Sequence, residues 1–252
     1  MPTPPAPDVS VCVPVYRVHG APHVATLAAD LSAALDGLTG ELVVALNGVD
    51  ADAVGVPPEA GTVASEVNRG VAPGWNAAAA RATGATLCFC NDDVRLGAGS
   101  LRRLHDALRA HEDAGVVGPV GTRWDVARGR HLGWIDLGGV PDGDVRECEV
   151  VSGFLFATRR DTFEAAGGFD EAYAPFSYEE VDFCTTARLD LGLRCYAVAG
   201  VAYEHEFGVT AAWRPWRRVR FDGRSESVWS IDRRNRRHFL AKWSERAASP
   251  TP

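Results

Sequence analysis

Apolar residues in the first half of the chain alternate between unbroken runs and runs of helical period. Residues 9–16 (VSVCVPVY) and 41–46 (ELVVAL) are continuously apolar enough to be strands buried on both faces. Between them, residues 23–38 repeat their apolar positions with helical spacing. A shorter strand follows at 62–67, an alanine-rich helix at 75–83 and a fourth strand at 86–90. Ser100 stands as the expected N-cap of a helix whose Leu101, Leu104 and Leu108 share one face, and residues 116–118 start another strand. Strands alternating with helices over short connections predict an α/β fold with a mostly parallel sheet flanked by helices. Such sheets bind ligands beyond the carboxyl ends of their strands.

The pattern changes after about residue 120. Residues 130–151 are rich in Gly, Asp and Trp and read as irregular loops or a hairpin. A strand is expected at 151–157, helices at 160–166 and 179–191, and a terminal helix at 227–243. There is no internal repeat. The chain therefore divides into a disordered tail (1–8), a ligand-binding half (9–120), a second half of the same domain (121–210) and a C-terminal arm (211–252).

Composition adds two points. With 252 residues, 46% hydrophobic and 23% charged, the chain is long enough for one substantial core. Its first residues lack the basic and apolar regions of a signal peptide, and the six cysteines include no CxxC pair. Reduced, buried thiols in a cytoplasmic protein are the expectation. The net charge of −7 speaks against nucleic acid as a partner. That charge is uneven: residues 211–243 hold about 10 Lys+Arg against 3 Asp+Glu, near +7, which leaves the rest near −14. The arm's cations are arginines except Lys242, suited to a diphosphate, an anionic acceptor or a peripheral contact with a membrane face. An arm laid over the acidic body is the alternative.

Two acidic groups carry candidate chemistry. Asn91, Asp92 and Asp93 follow the fourth strand directly, where carboxylates can bind Mg²⁺ or Mn²⁺ or form an Asx turn. Glu179, Glu180 and Asp182 open a helix, where one can take a proton from an attacking hydroxyl. Ser177 and Glu180 also have the spacing of a capping box, and acids in a first turn complement the helix dipole. His205 lies between Glu204 and Glu206, and Trp134 and Trp75 are suited either to sugar stacking or to a core.

The order of these segments resembles family 2 glycosyltransferases, particularly the bacterial rhamnosyltransferase-like branch. The resemblance is carried by residues 9–16, by 68–76 (NRGVAPGWN), by the CNDDV at 90–94, and by Ser152-Gly-Phe154. It continues through 167–171 (GGFDE), 179–182 (EEVD) and the ending from Asn235 to Trp243. It implies a GT-A fold that binds a nucleotide-diphosphate sugar. Pro14, Tyr16 and Asn47 would contact the nucleoside, and Asn68, Gly70 and Asn76 the donor. Asp93 would bind Mg²⁺ or Mn²⁺, with Asp92 on the ribose or a metal-bound water and His205 near the diphosphate or metal. Glu180 would be the general base of an inverting transfer, with Glu179 and Asp182 the next candidates. Gly153, Phe169, Asp170 and Trp134 would line the acceptor side. The acceptor would be a carbohydrate, a lipid-linked intermediate or a small molecule, and the donor a dTDP- or UDP-sugar.

Three positions depart from the family pattern. Asn91 stands where many members have an acid, Leu46 where an aspartate often helps read the base, and Glu180 where most have aspartate. These departures motivate an inactive sugar-nucleotide-binding or scaffold protein as the rival reading. A sugar-phosphate nucleotidyltransferase is the other rival, although its glycine-rich, lysine-bearing signature is missing near the first strand.

Overall fold

A computed structural model describes residues 5–16, 23–205 and 215–248. The first half runs β1 (Val9–Val15), α1 (His23–Leu35), β2 (Gly40–Asn47), α2 (Ala51–Val54), β3 (Gly61–Ser65), α3 (Val71–Arg81) and β4 (Thr86–Cys90). It continues with β5 (Val94–Leu96), α4 (Ser100–Ala110) and β6 (Ala114–Gly118). The second half holds β7 (Gly121–Asp125), β8 (Arg130–Trp134), β9 (Val145–Cys148), β10 (Val150–Val151), β11 (Leu155–Arg159) and α5 (Arg160–Ala165). Then come α6 (Glu179–Leu189), β12 (Arg194–Val198), β13 (Tyr203–His205), β14 (Arg218–Phe221), β15 (Arg224–Ser227) and α7 (Val228–Ala248).

Eight strands form the central sheet in the order β3-β2-β1-β4-β11-β6-β12-β9. Six share one direction, while β11 and β9 run against their neighbours. The mixed α/β architecture is the expected one. The expected strand at 151–157 is two pieces, because β10 leaves the central sheet to pair with β7 and only β11 joins β4. The loop-rich stretch at 130–151 likewise contains β8 and β9. Helix α4 starts one residue earlier than read: Gly99 is the N-cap, and the Ser100 hydroxyl is buried without a hydrogen bond.

The unbroken apolar strands follow from helices on both faces. In β1, Val9, Val11, Val13 and Val15 join one core cluster while Cys12 joins the other. In β4, Cys88 and Cys90 face the first cluster, and Leu87 and Phe89 the second. This is the period-2 alternation of a strand buried on both sides. Small residues let α3 lie close to the sheet: a Cβ on Gly74 would meet Pro14 Cβ at 2.8 Å and Asn47 Nδ2 at 3.0 Å. All six cysteines are free and buried, and burial pushes the Cys88 thiol up to about 12.

One end of the chain needs a correction, and the other follows the alternative reading. Asp8 is not part of a loose tail, since its carboxylate accepts from the Thr39 N–H at 2.8 Å and from its hydroxyl at 2.7 Å. The C-terminal arm is laid over the acidic body, with Lys242 and Arg246 paired to Asp182 and Asp190. Phe239 and Trp243, one turn apart on α7, are fully buried in the second core cluster. Buried Asn235 donates to the carbonyls of Tyr173, Phe176 and Ser177. Trp216 is 76% exposed, and Trp213 and Glu206 lie outside the described residues.

Candidate active site

The site lies beyond the carboxyl ends of β1, β2 and β4, as a doubly wound sheet requires. A cavity of about 340 Å³ there is lined by Pro14, Tyr16, Asn47, Asn68, Gly70, Asp92, Asp93, Gly153, Glu179, Glu180 and His205. Its wall also includes Trp75, Phe154, Pro175, Phe176 and Val219.

One wall is a loop stitched together by its own amides. Asn47 Nδ2 donates to the Gly70 carbonyl at 3.2 Å, and its Oδ1 accepts from the Arg69 N–H at 3.4 Å. Asn68 Oδ1 accepts from the Gly70 N–H at 2.9 Å, while its Nδ2 donates to the Arg220 carbonyl at 2.9 Å. Both asparagines therefore shape the loop. Gly70 has φ +103°, and a Cβ there would stand 2.7 Å from Pro175 Cα, so glycine alone fits.

The second wall carries the acids after β4. Asp92 is pushed up to about 7, first by burial and then by neighbouring Asp93. β13 pairs with β5 so that His205 lies opposite Val94, beside that acidic turn. His205 Nε2 comes within 3.2 Å of Asp93 Oδ1, and its ring stacks on Phe154 at 4.5 Å. Asp93 Oδ1 is buried and accepts no hydrogen bond among the described residues. No group of three or more His, Cys, Asp and Glu gathers as a metal site among those residues. The donor set here is one hard carboxylate oxygen and one imidazole nitrogen. It fits a divalent cation whose remaining positions belong to ligand oxygens.

The third wall is the start of α6. Ser177 and Tyr178 both have positive φ (81° and 79°), a turn that aims the helix start into the cavity. Tyr178 occupies the N-cap position without a side-chain cap, and Ser177 Oγ donates instead to Asp232 Oδ1 at 3.2 Å. The expected capping box is therefore absent. The Glu180 carboxylate accepts backbone N–H bonds from its own residue and Val181, yet burial dominates and raises its pKa. Burial, and next the adjacent Glu180, hold Glu179 well above the usual carboxylate range. A smaller cleft of about 230 Å³ shares Glu180 and Ser177 with the main cavity, and its outer wall includes Trp124, His131 and Trp134. Trp134 is 63% exposed, tilted against His131 at 4.8 Å.

Four expected site residues serve the scaffold. Asp182 points away from the cavity and accepts from Tyr173 Oη (3.0 Å), Trp243 Nε1 (2.6 Å) and Lys242 Nζ (2.7 Å). Asn76 clamps Phe169 by exchanging hydrogen bonds with its carbonyl and N–H, both at 2.9 Å. Phe169 is buried in the aromatic core against Trp75 and Phe89. Asp170 caps the turn at Glu171–Tyr173 and accepts from His238 Nε2 at 2.8 Å. Trp75, the other stacking candidate, is 1% exposed and forms part of that core as well as the cavity floor. Leu46 is buried in the first core cluster and reads nothing.

Comparisons with known proteins bear on the fold. Residues 55–164 match the family model described as Glycosyl transferase family 2. The matched segment, under half of the chain, is similar to family 2 glycosyltransferases, and the fold is of the GT-A kind. That segment runs from the end of α2 through the acidic turn to α5. The chain is similar in structure to GalNAc-T7, solved with UDP, GalNAc and Mn²⁺, at TM-score 0.62 and 12% identity. It is also similar to the mannosyltransferase PcManGT from Pyrobaculum calidifontis, solved with GDP-Man and Mn²⁺, at TM-score 0.52 and 20% identity. The match covers 88% of this chain and 45% of the first, and 76% of this chain and 55% of the second. Among curated proteins none matches the sequence significantly.

Proposed function

We propose that the chain is an inverting glycosyltransferase that moves a sugar from a nucleotide-diphosphate donor to an acceptor hydroxyl. The carrying observation is that Glu180 lines two clefts at once. The larger contains the acidic turn and the asparagine-stitched loop, and the smaller opens beside Trp134. A base that deprotonates one substrate while that substrate attacks another must sit where the two meet. Its raised pKa makes Glu180 a stronger base than an exposed glutamate.

The donor would occupy the larger cleft, its nucleoside toward Pro14 and Tyr16 and its diphosphate toward Asp93 and His205. Similarity to proteins solved with UDP and GDP-Man supports that donor class. The narrower choice of a dTDP- or UDP-sugar rests on the sequence resemblance. Mn²⁺ or Mg²⁺ held by Asp93 and His205 would offset charge on the departing diphosphate. The acceptor hydroxyl enters from the Trp134 side, Glu180 removes its proton, and the oxygen attacks the face opposite the leaving group.

The test is a panel of nucleotide sugars with and without Mn²⁺, read by melting temperature and then by product NMR. A specific donor stabilises the native state by mass action. Transfer with inverted anomeric configuration supports the reading. A protein that melts at the same temperature with every donor, or a product of retained configuration, overturns it.

A further inference from the structure

The outer face of the C-terminal hairpin and helix carries charge and aromatic surface that the site does not use. Along β14, Val219 and Phe221 are buried, whereas Arg218 and Arg220 point to the opposite, exposed side. β15 leads directly into α7, and the Val228 and Trp229 N–H groups donate to the Arg217 and Pro215 carbonyls at 2.9 and 3.0 Å. This places Trp216 beside the first turn of α7. On that helix Trp229, Arg233 and Arg237 follow at four-residue spacing and share one face. The Arg233 guanidinium lies 5.2 Å from the Trp229 ring centre.

Three properties define this surface. Arg218, Arg220, Arg233 and Arg237 are exposed and form no ion pair among the described residues, unlike Arg224 and Arg234, which meet Asp222 and Glu226. Trp216 and Trp229 are 76% and 58% exposed, so two open indoles lie here among the cations. The surface is also separate from the clefts described above, none of which these six residues line. Unpaired cations on an outward face suit an extended anionic partner rather than an enclosed small anion. Exposed indoles favour a membrane interface over a soluble polyanion, because their amphipathic rings gain from the headgroup layer. No helix among the described residues is long and apolar enough to cross a membrane, so the contact would be peripheral.

We infer that Trp216, Trp229, Arg218, Arg220, Arg233 and Arg237 form a docking surface for an anionic lipid bilayer. The inner face of the same hairpin supplies Val219 to the main cavity, so the docked surface lies against the back of the site wall. Docking does not depend on the proposed reaction, and its test uses no turnover.

The test is co-sedimentation of the full chain with vesicles of phosphatidylcholine alone or mixed equally with phosphatidylglycerol, at about 0.1 M salt. The intact protein should bind the mixed vesicles and not the neutral ones, with a blue shift of tryptophan emission. Arg233→Glu with Arg237→Glu should weaken binding about tenfold or more, and Trp229→Ala should reduce the blue shift. Both variants should melt like the parent, since the positions are exposed. Equal binding to both vesicle types, no binding to either, or undiminished binding by the double arginine variant overturns the proposal. So does equally tight capture by dextran sulfate in solution, which would assign the surface to a soluble polyanion.

Discussion

A Cβ on Gly153 would stand 3.0 Å from both Cγ and Cδ of Glu180. The glycine is thus the backing against which the carboxylate rests, and any larger residue pushes the carboxyl group into the cavity. Gly153→Ala should lower transfer about tenfold or more through misplacement of the base. Donor affinity should stay near the parent value, because the nucleoside wall is untouched. Steady-state kinetics alongside donor titration check this, and an unchanged kcat counts against the contact's importance.

Glu180→Gln keeps the size and the helix contacts but cannot take up a proton. Transfer should fall by roughly 10² or more while the melting temperature holds or rises, since an acid with a raised pKa is removed. Ser177→Ala, with no cap to lose, should cost less than about 1 kcal/mol and leave turnover intact. A Gln variant that turns over like the parent would move the role to Glu179.

The same pair sets a pH dependence. Glu179 and Glu180 have raised pKa values in the native state, so between the unfolded and folded values the native chain binds more protons. Stability should therefore fall as pH rises through that window, and the slope should shrink in Glu180→Gln. Transfer needs the ionised base, so its acidic limb should lie above the ordinary glutamate value of about 4.3. Denaturation midpoints and rate profiles across pH 4 to 8 test the two signs together.

Asp93→Ala should abolish stabilisation by Mn²⁺ in a melting assay, because it removes the buried carboxylate oxygen facing His205. Without added metal the variant should melt at or above the parent temperature, as Asp92 loses the like charge beside it. Retained Mn²⁺ stabilisation would place the cation elsewhere.

Asp182→Asn should act on stability instead. Three donors converge on this buried carboxylate, one of them the Lys242 ammonium. Neutralising it should cost about 3 kcal/mol in denaturant unfolding. The folded variant should retain donor binding, which separates its role from that of Glu180 two residues away.

Much of the first half was legible from local pattern, for a physical reason. Strands covered on both faces are unbroken apolar runs, and the loops after them carry the polar residues. The acidic turn at 91–93 could be located that way, whereas the loop at 68–70 was singled out by the family resemblance. What was illegible depends on long-range partners. Asp182 and Glu180 look alike in sequence, but Trp243 and Lys242 claim one of them from α7. Asn76 and Asn68 were given as donor contacts by the family resemblance, and nothing local shows that Phe169 and Arg220 bond their amides. The capping box failed because Ser177 and Tyr178 take left-handed conformations that turn the hydroxyl toward Asp232. Phe154 and Val219 reach the cavity through pairing and packing that no spacing announces.

The bond from Asn68 to Arg220 joins residues 152 positions apart, and Asp222 returns a second bond to the Asn68 carbonyl. A ribosome adding roughly 5–20 residues per second reaches the second partner about 8–30 s after the first. Through that interval the nascent chain can complete most of its sheet while the loop at 68–70 lacks its outer anchor. The cleft therefore matures later than the sheet that carries it, and a growing chain lacks the finished wall until the β14–β15 hairpin has been made.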